Sequence, residues 1–345
     1  MSTQAGQSTL TPLTKLAIDF GYSGYAKCVY QDQFFKFQLS IDFFNNYAIA
    51  YGQNNHYEFE NEKLIVGTSN QTEDSFSTTD YKFLHKYGPI AIFYILEKLN
   101  LIDQLDKLEL KIGIALIDWN KRLEFLNRMR TISISCFGSN FPNGSKSFDL
   151  KLNNITLYTQ GQGSGKYFTI VDREGVYPNT LLVIDIGYNT INLIYFEKGK
   201  PIANRSKPLP GHGISTVIKP FQNFLESITG MNFSEAEAIG YFIQGSMIFH
   251  GLEKPEVTAE IIRLKGVFIK KLMNNLMVSE KKGLATSEVV LFTGGGAYYI
   301  KDAQFPPNFK FNSKGIHEFE NVLGYFYDTT YDNTTRIING EMYEY

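Results

Sequence analysis

Two segments of this 345-residue chain repeat one pattern: an apolar strand ends in Asp-x-Gly and runs straight into a hairpin. The first is Leu16-Ala-Ile-Asp19-Phe-Gly21, followed by Tyr25-Ala-Lys27-Cys-Val-Tyr30. The second is Leu181-Leu-Val-Ile-Asp185-Ile-Gly187, followed by Thr190-Ile-Asn-Leu-Ile-Tyr-Phe196. The aspartates lie 166 positions apart (185 − 19). A third strand is expected in each copy, Phe34–Leu39 after the turn Gln31-Asp-Gln33 and Pro201–Arg205 after Glu197-Lys-Gly199, and helices follow. Repetition at this spacing is duplication at domain scale, and the length exceeds one ordinary core. The expected fold is α/β, two duplicated domains flanking a cleft.

The turns indicate what the cleft would take. A tight turn after a strand presents successive N–H groups to phosphate oxygens, and glycine permits close approach. Copy one offers Gly21-Tyr22-Ser23-Gly24 with Lys27 beyond it; copy two offers Gly187-Tyr188-Asn189-Thr190. Asp19 and Asp185 repel phosphate but suit a hydrated Mg²⁺, which keeps several waters and one or two carboxylates. A third signature, Val290-Leu-Phe-Thr293-Gly294-Gly295-Gly296-Ala297, follows a strand and lets a flat purine or ribose lie against bare backbone. ATP or GTP with Mg²⁺ is therefore the expected ligand.

Composition narrows the alternatives. Hydrophobic residues make up 43% and charged residues 20%, as in globular proteins. A net charge of −2 gives no global field for nucleic acid. Cys28 and Cys136 show no metal-binding or disulfide spacing, so a reducing cytoplasm is the simplest setting. Residues 1–12 read as a polar, disordered lead, and the polar Asp328–Tyr345 end as a short tail. Neither reads as a membrane anchor, and no apolar run of about 18 residues exists.

Asp19-Phe-Gly-Tyr-Ser-Gly and Asp185-Ile-Gly-Tyr-Asn-Thr resemble the first and second phosphate motifs of the actin-like ATPase superfamily, and Phe292-Thr-Gly-Gly-Gly-Ala297 its adenosine motif. Gly211-His-Gly-Ile-Ser215 and Phe319-Glu-Asn-Val-Leu-Gly324-Tyr agree further, so the likeness runs from Leu13 to Tyr327. The nearest branch is that of the plasmid-segregation ParM (StbA) and archaeal actin-like proteins. The resemblance implies the actin/Hsp70/sugar-kinase fold, ATP hydrolysis, head-to-tail filaments and movement of plasmid DNA through a DNA-binding adaptor. It implies a Glu or Gln ahead of the second phosphate motif that orients water; Gln160 matches best and Gln162 competes, with Asp185 as the second catalytic residue. Asp19 and Lys27 are eight steps apart (27 − 19), one more than the family pattern. The alternative is a non-polymerising ATPase or small-molecule kinase of the same fold, although no carboxylate base in an acceptor-site motif follows the first hairpin.

On this reading, domain I comprises 13–180 plus 318–335, with a variable insertion at about 41–79; domain II comprises 181–317, and 336–345 is the tail. Helices are expected over Tyr87–Leu99, from an Asn120 cap to Met129, from Pro220, after the Ser234-Glu-Ala-Glu237 capping box, and over Pro255–Val278. Thr159–Ser164 reads as a polar turn. His212, Trp119 and the Lys270-Lys271 and Lys281-Lys282 pairs read as turn, packing and solvated residues.

Overall fold

A computed structural model describes residues 13–21, 24–43, 56–67, 80–137 and 145–344. Two large mixed sheets carry the duplicated motifs. The first has seven strands in the spatial order Glu341–Glu344, Thr335–Ile338, Ile155–Thr159, Leu108–Ile114, Thr14–Phe20, Tyr25–Tyr30 and Gln33–Gln38. The second orders Lys200–Pro201, Thr190–Glu197, Thr180–Ile186, Val289–Thr293 and Phe309–Phe311, with Lys207–Pro210 also pairing with Thr190–Glu197. Each Asp-bearing strand lies between its antiparallel hairpin partner and a parallel strand. Such strands are covered on both faces, which is why they read as continuous apolar runs.

The third strands differ between the copies. Gln33–Gln38 pairs along its whole length with Tyr25–Tyr30. The expected Pro201–Arg205 strand pairs only at Lys200–Pro201, and the edge resumes at Lys207–Pro210. Pro201, Pro208 and Pro210 lack the N–H that a continuous ladder needs. The 41–79 insertion is partly described: Ile41–Phe43, His56–Phe59 and Glu62–Val66 join Thr131–Phe137 and Ser145–Lys151 in a separate five-stranded sheet. Residues 44–55 and 68–79, like the 1–12 lead, lie outside the described residues.

Several helix boundaries move. The first helix begins at Tyr81, where Asp80 accepts from the Phe83 N–H at 2.9 Å, so Pro89 lies inside it. A 3₁₀ turn over Leu116–Lys121 takes Asn120, and the following helix starts at Arg122 without a side-chain cap. Pro220 falls inside Ser215–Thr229 rather than at its start. The Ser234 capping box forms ahead of Glu235–Gln244. Pro255–Thr286 extends past the expected end through a non-helical Glu280, and Ile261, Leu264, Phe268, Leu272 and Leu276 are its buried stripe.

Two short helices join the halves. Thr159–Ser164 is not a loop, because helix Gln162–Asp172 starts within it. Its Phe168 packs with Val183, Ile194 and Phe196 of the second sheet. Helix Glu320–Tyr327 packs Val322, Leu323 and Tyr325 with Ala17, Val29 and Tyr158 of the first. The helices meet at Gly163 and Gly324, where a methyl group on Gly324 would overlap the Gly163 carbonyl. Two glycines cost helix propensity here, and backbone contact requires them.

The segment taken as a tail is part of the first sheet. Thr335–Ile338 pairs with Ile155–Thr159, and Glu341–Glu344 pairs with Thr335–Ile338. The preceding strap satisfies two buried cations: Lys111 Nζ donates to the Asp328 carbonyl at 2.6 Å, and Lys166 Nζ to Thr330 Oγ1 at 2.6 Å. Its polar residues are therefore interior partners, since a buried ammonium must be hydrogen-bonded.

Candidate functional site

Hairpin register sets what faces each carboxylate. Asp19 stands directly across from Lys27 in the first copy. Asp185 stands across from Asn192 in the second. The extra step in the first motif therefore leaves Lys27 opposite Asp19.

Gln160 leaves the end of strand Ile155–Thr159 with its backbone N–H on the Ile114 carbonyl at 2.9 Å. Its Nε2 donates to Asp19 Oδ1 and to the Phe20 carbonyl, both at 3.0 Å. Gln162 faces elsewhere: it is buried, accepts from Thr159 Oγ1 at 3.2 Å and donates to the Asp332 carbonyl at 2.6 Å. Asn321 connects the two arms. Its Oδ1 accepts from Gly161 N–H at 2.8 Å and Ser164 Oγ at 3.0 Å, while Nδ2 donates to Asp185 Oδ2 at 3.1 Å.

These groups line one cleft of about 1140 Å³, including its open mouth. Asp19, Gly21, Lys27 and Gln160 form one wall, and Asp185 with Gly187-Tyr188-Asn189-Thr190 the other. Gly294, Gly295 and Gly296 continue toward Ile239, Ile243 and Tyr299, an apolar end suited to a planar ring. Gly294 is required where it stands, because φ is +79° and a Cβ would overlap the Asp185 carboxylate.

The carboxylates titrate abnormally. Burial, and then the charge of Asp19, raise Asp185 from 3.8 to about 6, against hydrogen bonds from Asn321 and Asn192. Burial raises Asp19 as well, opposed by the Lys27 ammonium and the Gln160 amide. A buried acid whose charge is disfavoured by a second buried acid in the same cleft is a setting that suits a cation.

Other expected residues fall outside the cleft. Thr293 is buried behind it, its hydroxyl 2.5 Å from Glu320 Oε2 and 2.9 Å from Ser164 Oγ. Gly24 is in the hairpin turn but not in the cleft lining, its carbonyl accepting from Leu39 N–H at 2.8 Å. Tyr22 and Ser23 lie outside the described residues. His212 contacts Asn275 on the surface. Sequence reasoning assigned no site role to Asn192, Asn321, Tyr25, Lys36 or Glu318, all of which line the cleft. Hairpin arithmetic from the Gln31-Asp32 turn would have found Lys36 opposite Lys27. Asn321 lies in the Phe319–Tyr325 segment, whose family resemblance assigns it no role.

Two duplicated sheets joined by crossing helices, each carrying an Asp hairpin at one cleft, make an actin-like fold. Residues 183–304 match the family model of the archaeal actin homologue MreB-like, C-terminal domain. Among solved structures, the archaeal actin homologue Ta0583 is 16% identical with a TM-score of 0.71, over 91% of this chain and 98% of that one. A 15-stranded ParM filament from Clostridium botulinum gives 19% and 0.69, over 92% and 98%. Bacillus thuringiensis ParM with ATP gives 14% and 0.62, over 91% and 97%. A search of curated proteins found no match. The actin-like fold expected from the motifs is thus present, related to that of archaeal actin homologues and ParM. Among the described residues no helix is long and apolar enough to cross a membrane.

Proposed function

We propose that this protein is a nucleotide-dependent, filament-forming ATPase. One observation carries the reading: Asp19 and Asp185 line the same cleft, the charge of Asp19 felt at Asp185, while Gln160 is held on Asp19. Asp19 and Asp185 would hold a hydrated Mg²⁺, whose charge neutralises phosphate oxygens. The fit rests on two buried carboxylates in one cleft, the charge of Asp19 disfavouring that of Asp185, which a divalent cation relieves. Lys27 faces the phosphates, the Gly187–Thr190 turn lies against them, and the Gly294–Gly296 turn takes the nucleoside. Gln160 orients water in line with the terminal phosphorus; phosphoryl transfer needs placement and electrostatics more than covalent help.

Closure about the Gly163–Gly324 crossing would couple nucleotide state to subunit shape. A heterologous contact between closed subunits does not terminate and gives an open filament. The Clostridium botulinum relative is a ParM filament, which supports self-association here. Plasmid DNA moved through a DNA-binding adaptor is the matching job. Buried free thiols at Cys28 and Cys136 suit the cytoplasm. The proposed division keeps domain I at 13–180 plus 318–335, now continued by the strands to Glu344, and domain II at 181–317.

Light scattering with Mg-ATP, Mg-GTP, Mg-ADP and no nucleotide tests the proposal. A rise with one triphosphate that decays as phosphate is released is expected. Phosphate release without any rise would instead establish the non-polymerising ATPase or kinase alternative.

A further inference from the structure

The charged row in the first hairpin extends one strand further than the phosphate motif. Asp19 is registered with Lys27, and Lys27 with Lys36 on Gln33–Gln38. All three line the cleft. Like charges directly opposite in an antiparallel pair destabilise a sheet, so Lys27 facing Lys36 is a local cost. Lys36 is held by Glu318 Oε2 at 3.0 Å and lies 5.0 Å from the centre of the Tyr25 ring. Glu318 also lines the cleft, its side chain 26% exposed, and it sits three residues before Asn321, which bonds Asp185.

We propose that Lys36 is a second phosphate-binding cation, held by Glu318 until a nucleoside polyphosphate displaces that carboxylate. The proposal rests on the nucleotide reading above. Two adjacent ammonium groups facing one pocket match a polyanion, and the fixed counter-ion offsets their repulsion in its absence. Glu318 then acts against the ligand by competing for Lys36. Binding trades an ion pair between two partly exposed side chains for one with phosphate, so the effect is modest but directional.

Calorimetric titration of the full chain with Mg-ATP, Mg-GTP, adenosine and guanosine tests this. Lys36→Gln is expected to weaken the preferred triphosphate about fivefold and leave the matching nucleoside unchanged. Glu318→Gln is expected to tighten the triphosphate by about twofold to threefold, and the double variant to match Lys36→Gln. Lys36→Arg should retain most of the affinity, and urea unfolding of each variant reports its folding. The proposal is overturned if Lys36→Gln leaves triphosphate binding intact or weakens nucleoside equally, or if Glu318→Gln lowers triphosphate affinity. Wild-type protein that takes up neither triphosphate would instead sink the nucleotide reading itself, and this proposal with it.

Discussion

The Asp19 and Asp185 hairpins share a strand and a turn, the first turn one residue longer, and a lysine faces one carboxylate and an asparagine the other. The first arm carries a compensating charge, extended by Lys36, and the Gln160 amide caps its acid. The second arm surrounds its acid with neutral amides, Asn192 and Asn321. Burial penalises both charges, but only Asp19 has a cation directly opposite. The duplicated scaffold therefore holds two unlike electrostatic environments: one acid with a cation opposite it, and one held only by neutral amides.

The crossing helices hold both arms in place, so the largest expected effect lies there. Gly324→Val should cost about 4 kcal/mol or more and abolish cooperative unfolding and nucleotide uptake, because the Gly163 carbonyl occupies the space a side chain needs. A near-normal urea midpoint would show that the halves are not locked at this point.

Gln160→Ala comes next. Assembly should persist while phosphate release slows roughly a hundredfold, since only water placement is lost. Equal phosphate release in the variant and wild type would remove Gln160 from the chemistry.

The two acids should then respond unequally to neutralisation. With a folded pKa of about 6 against 3.8, Asp185 binds its proton more tightly in the folded chain. Its ionisation opposes folding: the contribution of Asp185 to stability is highest below about pH 4, falls as pH rises toward about 6, and the penalty, about 3 kcal/mol at most, is complete above that. Asp185→Asn should therefore stabilise the nucleotide-free protein at pH 7.5 by about 1–3 kcal/mol, flatten that pH dependence, and weaken Mg-nucleotide binding. Asp19→Asn should gain less than about 1 kcal/mol, because it strands Lys27. Matching melting shifts for the two variants would erase the difference between the arms.

Much of this was legible locally. The apolar runs before Asp19 and Asp185, the Ser234 capping box and the Ile261–Leu276 stripe follow from periodicity, which records which face of an element is buried. The helix at Gln162 was not legible, because Gly163 and Gly165 signal a loop until Asn321, Tyr325 and Phe196 pack against them. Nor was the interior role of Asp328 and Thr330: their partners Lys111 and Lys166 are distant in sequence, and polar composition alone reads as solvent-facing. The choice between Gln160 and Gln162 likewise needed strand register, since two residues apart in a strand-to-helix turn they face opposite surroundings.

By itself the amino-acid order determined the duplicated strand-and-turn units, because burial and turn chemistry are written in short-range spacing. Only the tertiary structure decided what stands beside each carboxylate, which amide reaches Asp19 and where the last strands go. Those outcomes depend on charges and hydrogen-bond partners that meet across more than a hundred residues, and local spacing carries no record of them.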